Sequence, residues 1–259
     1  MKHVMAIAAL SLLAVLPATR AGAQGAIIET LDDLRDIPEP PGFRGALAAR
    51  IDLSSTLPPP GNQGTTGSCT SWAATYGAGS QALRRAGQGP TLKLSPSFTY
   101  NKVAHDPICV TGTAISVTLD MLRDVGGLPF EKFVFDGGWC GRQPTDAELE
   151  EAAHYRIKGW SKFDARKIEE VKAQLARGVP VIFDMRPTEQ FQKFKGDGVI
   201  DIPGVMNGTG HSMVAVGYDD ARKAFRIQNS WGRTFADAGY AWLGYDFWAR
   251  NTEVAYVIN

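Results

Sequence analysis

Neither sign of charge is in excess: 27 Lys and Arg balance 27 Asp and Glu over 259 residues. Binding to nucleic acid or to an anionic membrane surface needs a basic surplus or a basic cluster, and the sequence has neither. Charged residues are 21% and hydrophobic residues 44%, a composition that excludes a disordered polyelectrolyte and a coiled coil. Internal repeats and low-complexity tracts are missing. Cysteine and histidine are scarce, at three and four. None of them are spaced as zinc ligands, so no metal and no cofactor is expected. Long apolar runs are also missing, with one exception. Val4–Leu16 is almost unbroken but too short to span a bilayer comfortably. Lys2 precedes it and Ala21-Gly22-Ala23 follows, the pattern of a signal peptide with its cleavage site. Residues 1–23 are therefore expected to be removed. The product carries a formal charge of −2 and is expected in the periplasm or outside the cell, free of the membrane and monomeric.

Export gives the cysteine count meaning. Three thiols, Cys69, Cys109 and Cys140, predict one disulfide and one thiol kept free in an oxidising compartment. The count alone does not say which is free.

Two kinds of pattern follow along the chain. Residues 24–60 are rich in proline and read as an extended lead-in, with a short helix around Leu31–Arg35. A helix is expected over residues 70–86, stopped by Gly87 and Gly89-Pro90. Ser95-Pro96 caps the next. Ile115, Leu119 and Leu122 share one face of a third, and Thr145 to Glu148 forms a capping box for a fourth. Asp164 is expected to cap a fifth, with Ile168, Val171 and Leu175 inward and Gly178 at its end. The period then changes. Residues 179–185, 211–218, 224–229, 239–245 and 254–258 read as strands, with a hairpin turn at residues 219–222. The fold class is α+β: a helical lobe over about 69–165 and a sheet lobe over about 179–259, with a cleft between them.

The chemistry-bearing residues lie at element boundaries. Cys69 stands where the loop Gln63-Gly64-Thr65-Thr66-Gly67-Ser68 enters a helix. Outward N–H groups and the helix dipole there favour a thiolate, whereas a lone cysteine is more often a small buried apolar residue. A thiolate nucleophile needs an imidazole partner. His154 lies in an acidic helix and reads as a surface residue, and His105 lies in a loop. His211 opens a strand directly after Gly208-Thr209-Gly210. Asn229, at the end of the strand returning from that hairpin, lies near His211, and its amide can accept the imidazole Nδ1–H. Trp231 can cover that bond.

These residues carry a resemblance. Gln63-Gly64 with Gly67-Ser68-Cys69 is similar to the nucleophile motif of the papain-like cysteine peptidases. Gly210-His211-Ser212 leading into Val216-Gly217-Tyr218 is similar to their histidine motif, and Asn229-Ser230-Trp231-Gly232 with Gly239-Tyr240 to their asparagine motif. The order is the same, and the likeness covers residues 51–259. It implies a papain-like two-lobe fold, with Cys69 as nucleophile forming a thioester and His211 as general acid and base. It also implies that Asn229 orients His211, that Trp231 shields the contact, and that Gln63 donates to the oxyanion beside the Cys69 N–H. Substrates would be proteins or peptides. Cys109 and Cys140 would then form the disulfide.

Three departures stand out. Thr66 occupies the position of a usual disulfide cysteine, Thr70 follows the nucleophile where an aromatic is usual, and Phe235 replaces a second cleft tryptophan on the leaving-group side. Residues 24–50 are too few for the long inhibitory prosegment of this family. They are expected to form a short strap across the cleft, held by Ile27, Ile28, Leu31 and Phe43, or else a flexible tail. The activity expected is that of a secreted endopeptidase, a zymogen if the strap occludes the site. The alternatives are an acyltransferase or transglutaminase-like thiol enzyme, and a binding module on a silent scaffold. Of the smaller features, Asn207-Gly208-Thr209 reads as turn chemistry more than a glycosylation sequon. Phe130–Phe135 reads as an edge strand or core filler, and Asp184 with Arg186 as a solvated pair.

Overall fold

The computed structural model describes residues 25–137, 140–202 and 208–259. The expected leader over 1–23, its cleavage site and Asn207 lie outside them. Cys69 opens a helical run in three pieces: α1 (Cys69–Ser71), a π-helical stretch (Trp72–Gly79) and α2 (Ser80–Arg85). Ala73, Ala74 and Ala78 are buried in it. Small residues let the run lie directly on the sheet: a Cβ on Gly77 would stand 3.1 Å from the Val214 Cγ2. In α3 (Pro96–Ala104), Ser95 accepts the Phe98 N–H, and proline takes the first turn. α4 (Ile115–Asp124) buries Ile115, Leu119 and Leu122. α5 (Asp146–Ala152) begins with the capping box of Thr145 and Glu148.

Among the described residues the sheet has eight strands. Along it run β2 (Trp160–Asp164), β8 (Val254–Ile258), β3 (Val181–Met185), β5 (His211–Asp219), β6 (Ala224–Gln228), β7 (Tyr240–Gly244) and β4 (Val199–Ile200). β1 (Arg50–Asp52) pairs with β5. All pairs are antiparallel except β4 with β7. Alternation splits the strands between two cores. Ile182, Val214, Val216, Val254 and Tyr256 face the helical lobe. Phe183, Met185, Met213, Ala215 and Phe225 face the other way, onto α6 (Ile168–Ala176), α7 (Glu189–Lys193) and α8 (Tyr245–Asn251). Removing side chains such as Phe183 and Trp248 from water contributes roughly 2–3 kcal/mol each, which pins the register.

Several local expectations are corrected. β2 lies within the stretch read as helical, because Trp160 to Asp164 pair with Ile258 to Val254. Asp164 does not cap α6. The N-cap position is Lys167, and the Asp164 carboxylate instead accepts from the Arg166 backbone and guanidinium. Residues 31–36 form successive turns rather than a helix. Of the two readings of Phe130–Phe135 the edge strand fails, since residues 130–132 are a turn, while core filler holds for Phe133, edge-on to Phe98. Among the described residues no helix is long and apolar enough to cross a membrane.

Candidate active site

Cys69 is fully buried and is the free thiol. The disulfide joins Cys109 to Cys140, with 5.4 Å between their Cα atoms. It holds the loop that supports Gly67, whose N–H donates to the Cys109 carbonyl at 2.7 Å. Asp106 shapes the same loop by accepting from the N–H groups of Ile108, Val110 and Thr111. The disulfide therefore acts on the segment that precedes the thiol.

β5 and β6 bring His211 and Asn229 together. Asn229 Oδ1 lies 2.7 Å from His211 Nε2. The nitrogen facing the amide is Nε2, not the expected Nδ1. The amide oxygen can only accept, so Nε2 carries the proton. Nδ1 is left with its lone pair, buried and without a hydrogen-bond partner among the described residues. The Ser230 N–H also donates to Asn229 Oδ1, at 2.8 Å, and the Asn229 N–H donates to the Gly239 carbonyl. Trp231 stacks on the imidazole with centroids 4.5 Å apart. Phe235 is buried behind Trp231 and meets it edge-on at 5.3 Å, with Phe191 completing the cluster. It therefore supports the tryptophan from below and does not form the cleft surface.

Gln63 is buried and held at three points. Its Nε2 donates to the Thr66 carbonyl at 2.8 Å, Ser230 Oγ donates to its Oε1 at 2.6 Å, and its N–H donates to the Ser230 carbonyl. One Nε2–H remains. Sequence reasoning missed Ser230, which ties Gln63 and Asn229 together. It also missed Thr70, whose hydroxyl donates to the Thr113 carbonyl and meets Ser212 Oγ at 3.0 Å, linking helical lobe to sheet. Thr66, in place of a cysteine, bonds Ser68 and the Gln63 carbonyl through its hydroxyl. His105 caps the end of α3, and His154 lies in a turn after α5. Neither joins the site.

A segment of the lead-in fills the cleft. Gly25 and Ala26 donate to the Gly210 carbonyl, Thr113 donates to the Gly25 carbonyl, and Ile27 donates to the Thr113 carbonyl. The strap is thus one extended strand bonded to both walls. At Gly25 it is so tight that a Cβ would stand 2.2 Å from the Gly67 carbonyl oxygen. The Gly25 N–H faces the Cys69 sulfur, together with N–H groups of Ser212 and Thr70. Ile28 lies over Gly210, and Leu31 packs on the helical-side core. Two expected anchors are not cleft anchors. Ile27 is 56% exposed, and Phe43 lies in a groove against α6. The polar anchor is Glu29, which accepts from the Ser116 N–H and hydroxyl and from the Tyr256 hydroxyl.

Burial under the strap reverses the expected thiol chemistry. It pushes the Cys69 thiol up despite the surrounding donors, and pulls His211 down to about 4 against the opposing bond to Asn229. Both shifts favour the uncharged forms, a thiol and an imidazole, and His211 Nδ1 makes no hydrogen bond to the sulfur. Asp184, expected to be solvated, is 2% exposed. Burial first, then Glu29, raises it to about 8.

The sequence matches the family model for papain family cysteine proteases over residues 47–255. In structure the chain is similar to xylellain, a cysteine protease from Xylella fastidiosa. The TM-score is 0.81 and the identity 25%, covering 95% of this chain and 98% of that one. It is similar in fold to digestive procathepsin L 3 of the Tenebrio molitor larval midgut, with TM-score 0.72 and 18% identity, covering 92% and 76%. A peptidase C1-like protein of Acanthamoeba polyphaga mimivirus is 26% identical over 204 residues, 72% of this chain and 64% of that protein. The chain spans between 41% and 64% of the length of the curated relatives it matches. Motifs, geometry and these likenesses agree: the chain belongs to the papain family of cysteine proteases.

Proposed function

We propose that the chain is an exported cysteine endopeptidase made in a latent form, with residues 25–31 as its inhibitory strap. The observation that carries this reading is the strap itself. It is an extended peptide hydrogen-bonded to Thr113 and Gly210 on either side of Cys69. With the strap gone, the Thr113 N–H and carbonyl and the Gly210 carbonyl are free to pair with a substrate main chain.

When water and substrate replace the strap, the burial that holds both groups neutral is relieved. The Cys69 proton then passes to His211 Nδ1, and the sulfur attacks the peptide carbonyl. The developing oxyanion takes the remaining Gln63 Nε2–H and the Cys69 N–H. The C–N bond breaks as His211 returns its proton to the leaving amine, leaving a Cys69 thioester. Water deprotonated by His211 hydrolyses the thioester, releasing the acid and restoring the thiol. Export is supported by the leader-like residues 1–23 and by a disulfide coexisting with a free thiol.

The test is mass analysis of a peptide blocked at both ends, incubated with the protein and with Cys69→Ala, with and without glycinamide. The reading predicts internal cleavage to a free acid and a free amine, absent in the variant. Products appearing only as glycinamide adducts would replace hydrolysis by acyl transfer. No acyl chemistry would overturn the reading.

A further inference from the structure

Asp184 belongs to none of the steps above, yet it stands one rung from them. In the ladder between β3 and β5, Met185 is opposite His211 and Asp184 is opposite Ser212. Alternation puts Asp184 on the face of β3 that carries Ile182, toward the helical lobe. Tyr256 of β8, opposite Ile182 in the ladder, shares that face, and its hydroxyl donates to Glu29 of the strap, which also accepts from Ser116 at the start of α4. Its Oδ2 is buried and has no hydrogen-bond partner among the described residues. The titratable and charged groups facing it are Glu29 from the strap, Glu253 and Tyr256 from the β8 segment, and Arg186. Arg186 is exposed, so the buried side of the cluster is acidic.

A carboxyl buried without a donor is costly, and an acidic cluster with no buried cation is more so. The strap meets only part of this demand. Glu29 satisfies the donors Ser116 and Tyr256 but offers Asp184 nothing except a second carboxylate. We propose that the space under Glu29 is the side-chain specificity pocket of the site, that Glu29 is its plug, and that Asp184 selects a cationic substrate side chain, arginine or lysine. The pocket adjoins the Thr113 and Gly210 main-chain groups that hold an extended peptide, so a side chain entering it belongs to the acyl half of the substrate. Guanidinium or ammonium N–H groups supply the donors and the charge that Asp184 lacks. The hydroxyls of Ser116 and Tyr256 can rotate to accept. With Glu29 gone and water admitted, the two largest influences that keep Asp184 protonated are removed while Arg186 still favours its charged form, and it enters the pocket as a carboxylate. An acidic substrate side chain would only restore the strap's own mismatch.

The proposal rests on the peptidase reading, and the test separates the two. Full-length Glu29→Ala and Glu29→Ala/Asp184→Asn are compared by two readouts. One is kcat/KM on fluorogenic tripeptides carrying Arg, Lys, Leu or Glu at each acyl-side position in turn. The other is the rate of Cys69 alkylation by matched peptidyl chloromethyl ketones, which needs a reactive thiol but no hydrolysis. Melting curves establish that both variants are folded. At one position Arg and Lys are expected to exceed Leu at least tenfold in both readouts. Asp184→Asn should cut that advantage about tenfold while changing the Leu rates less than about twofold. Arginine-selective, Asp184-dependent alkylation without hydrolysis would keep the pocket and reject the peptidase. Hydrolysis with a Leu or Glu preference, or with an Arg preference indifferent to Asp184, would overturn the pocket alone. No alkylation of Glu29→Ala would also overturn it, because Glu29 would not then be the plug.

Discussion

The surroundings of His211 and of Asp184 differ sharply, although they are adjacent rungs of one ladder. Around His211 the ring and its partners are positioned without help from the strap, although His211 Nδ1 and Asn229 Nδ2 have no hydrogen-bond partner among the described residues. Asn229 takes Nε2, Ser230 fixes both Asn229 and Gln63, and Trp231 seals the ring. Asp184 instead lies under the influence of a strap residue, Glu29, 155 positions earlier in the chain, and one of its carboxylate oxygens is left without a donor. The first region is built to persist through catalysis. The second is complete only while a removable segment is present. Preorganised chemistry and an exchangeable occupant are therefore separate functions placed side by side.

The largest effects should come from the preorganised region. Cys69→Ala is expected to abolish cleavage, and His211→Ala to lower kcat/KM by about 10³-fold or more, as progress curves would show. Gln63→Ala should cost roughly 10²–10³-fold in kcat with the fold intact. Ser230→Ala should fall well short of Gln63→Ala, since it loosens the donor without removing it. Equal losses would mean that Ser230 acts directly.

The exchangeable region should show itself in pH dependence. Asp184 holds a proton in the fold up to about pH 8 that the unfolded chain releases above its ordinary 3.8. Its contribution to stability is full below that ordinary value and is lost as pH rises through 8. His211 runs the other way. Its folded value of about 4 lies below 6.5, so the stability it contributes is present above 6.5 and lost as pH falls through 4. The two slopes oppose one another between pH 4 and 6.5, and Asp184 acts alone from 6.5 to 8. Melting curves should therefore show Asp184→Asn gaining Tm over the parent as pH rises toward 8. A pH-independent difference would contradict the buried acid. Reducing Cys109–Cys140 should have the smallest effect on chemistry and a modest one on stability, about 3–4 kcal/mol in the chain-entropy view.

The same contrast explains what could be read from the sequence. Cys69, His211, Asn229 and Gln63 sit in local motifs whose chemistry is carried by their neighbours, and five of the six strands within residues 179–258 announce themselves by period, the two-residue β4 being too short to show one. Asp184 was not legible as buried, because Arg186 two residues on suggests a solvated pair and the residue that covers Asp184 is remote in sequence. Glu29 was missed because anchors of a strap are sought among apolar residues, and Ile27 turned outward. The depressed thiol expected at a helix start reflects an open site, whereas burial dominates under the strap.

The closure of a complete site by a main-chain strap is open to direct test. Its most direct measurement is the rate of Cys69 alkylation by iodoacetamide in the full-length protein, in Gly25→Ala and in Cys69→Ala, read by intact mass. Ala cannot fit at position 25 without displacing the strap from the Gly67 carbonyl. Closure by the strap should give slow labelling of the parent, at least tenfold faster labelling of Gly25→Ala, and none of Cys69→Ala. Rapid and equal labelling of the parent and Gly25→Ala would contradict it.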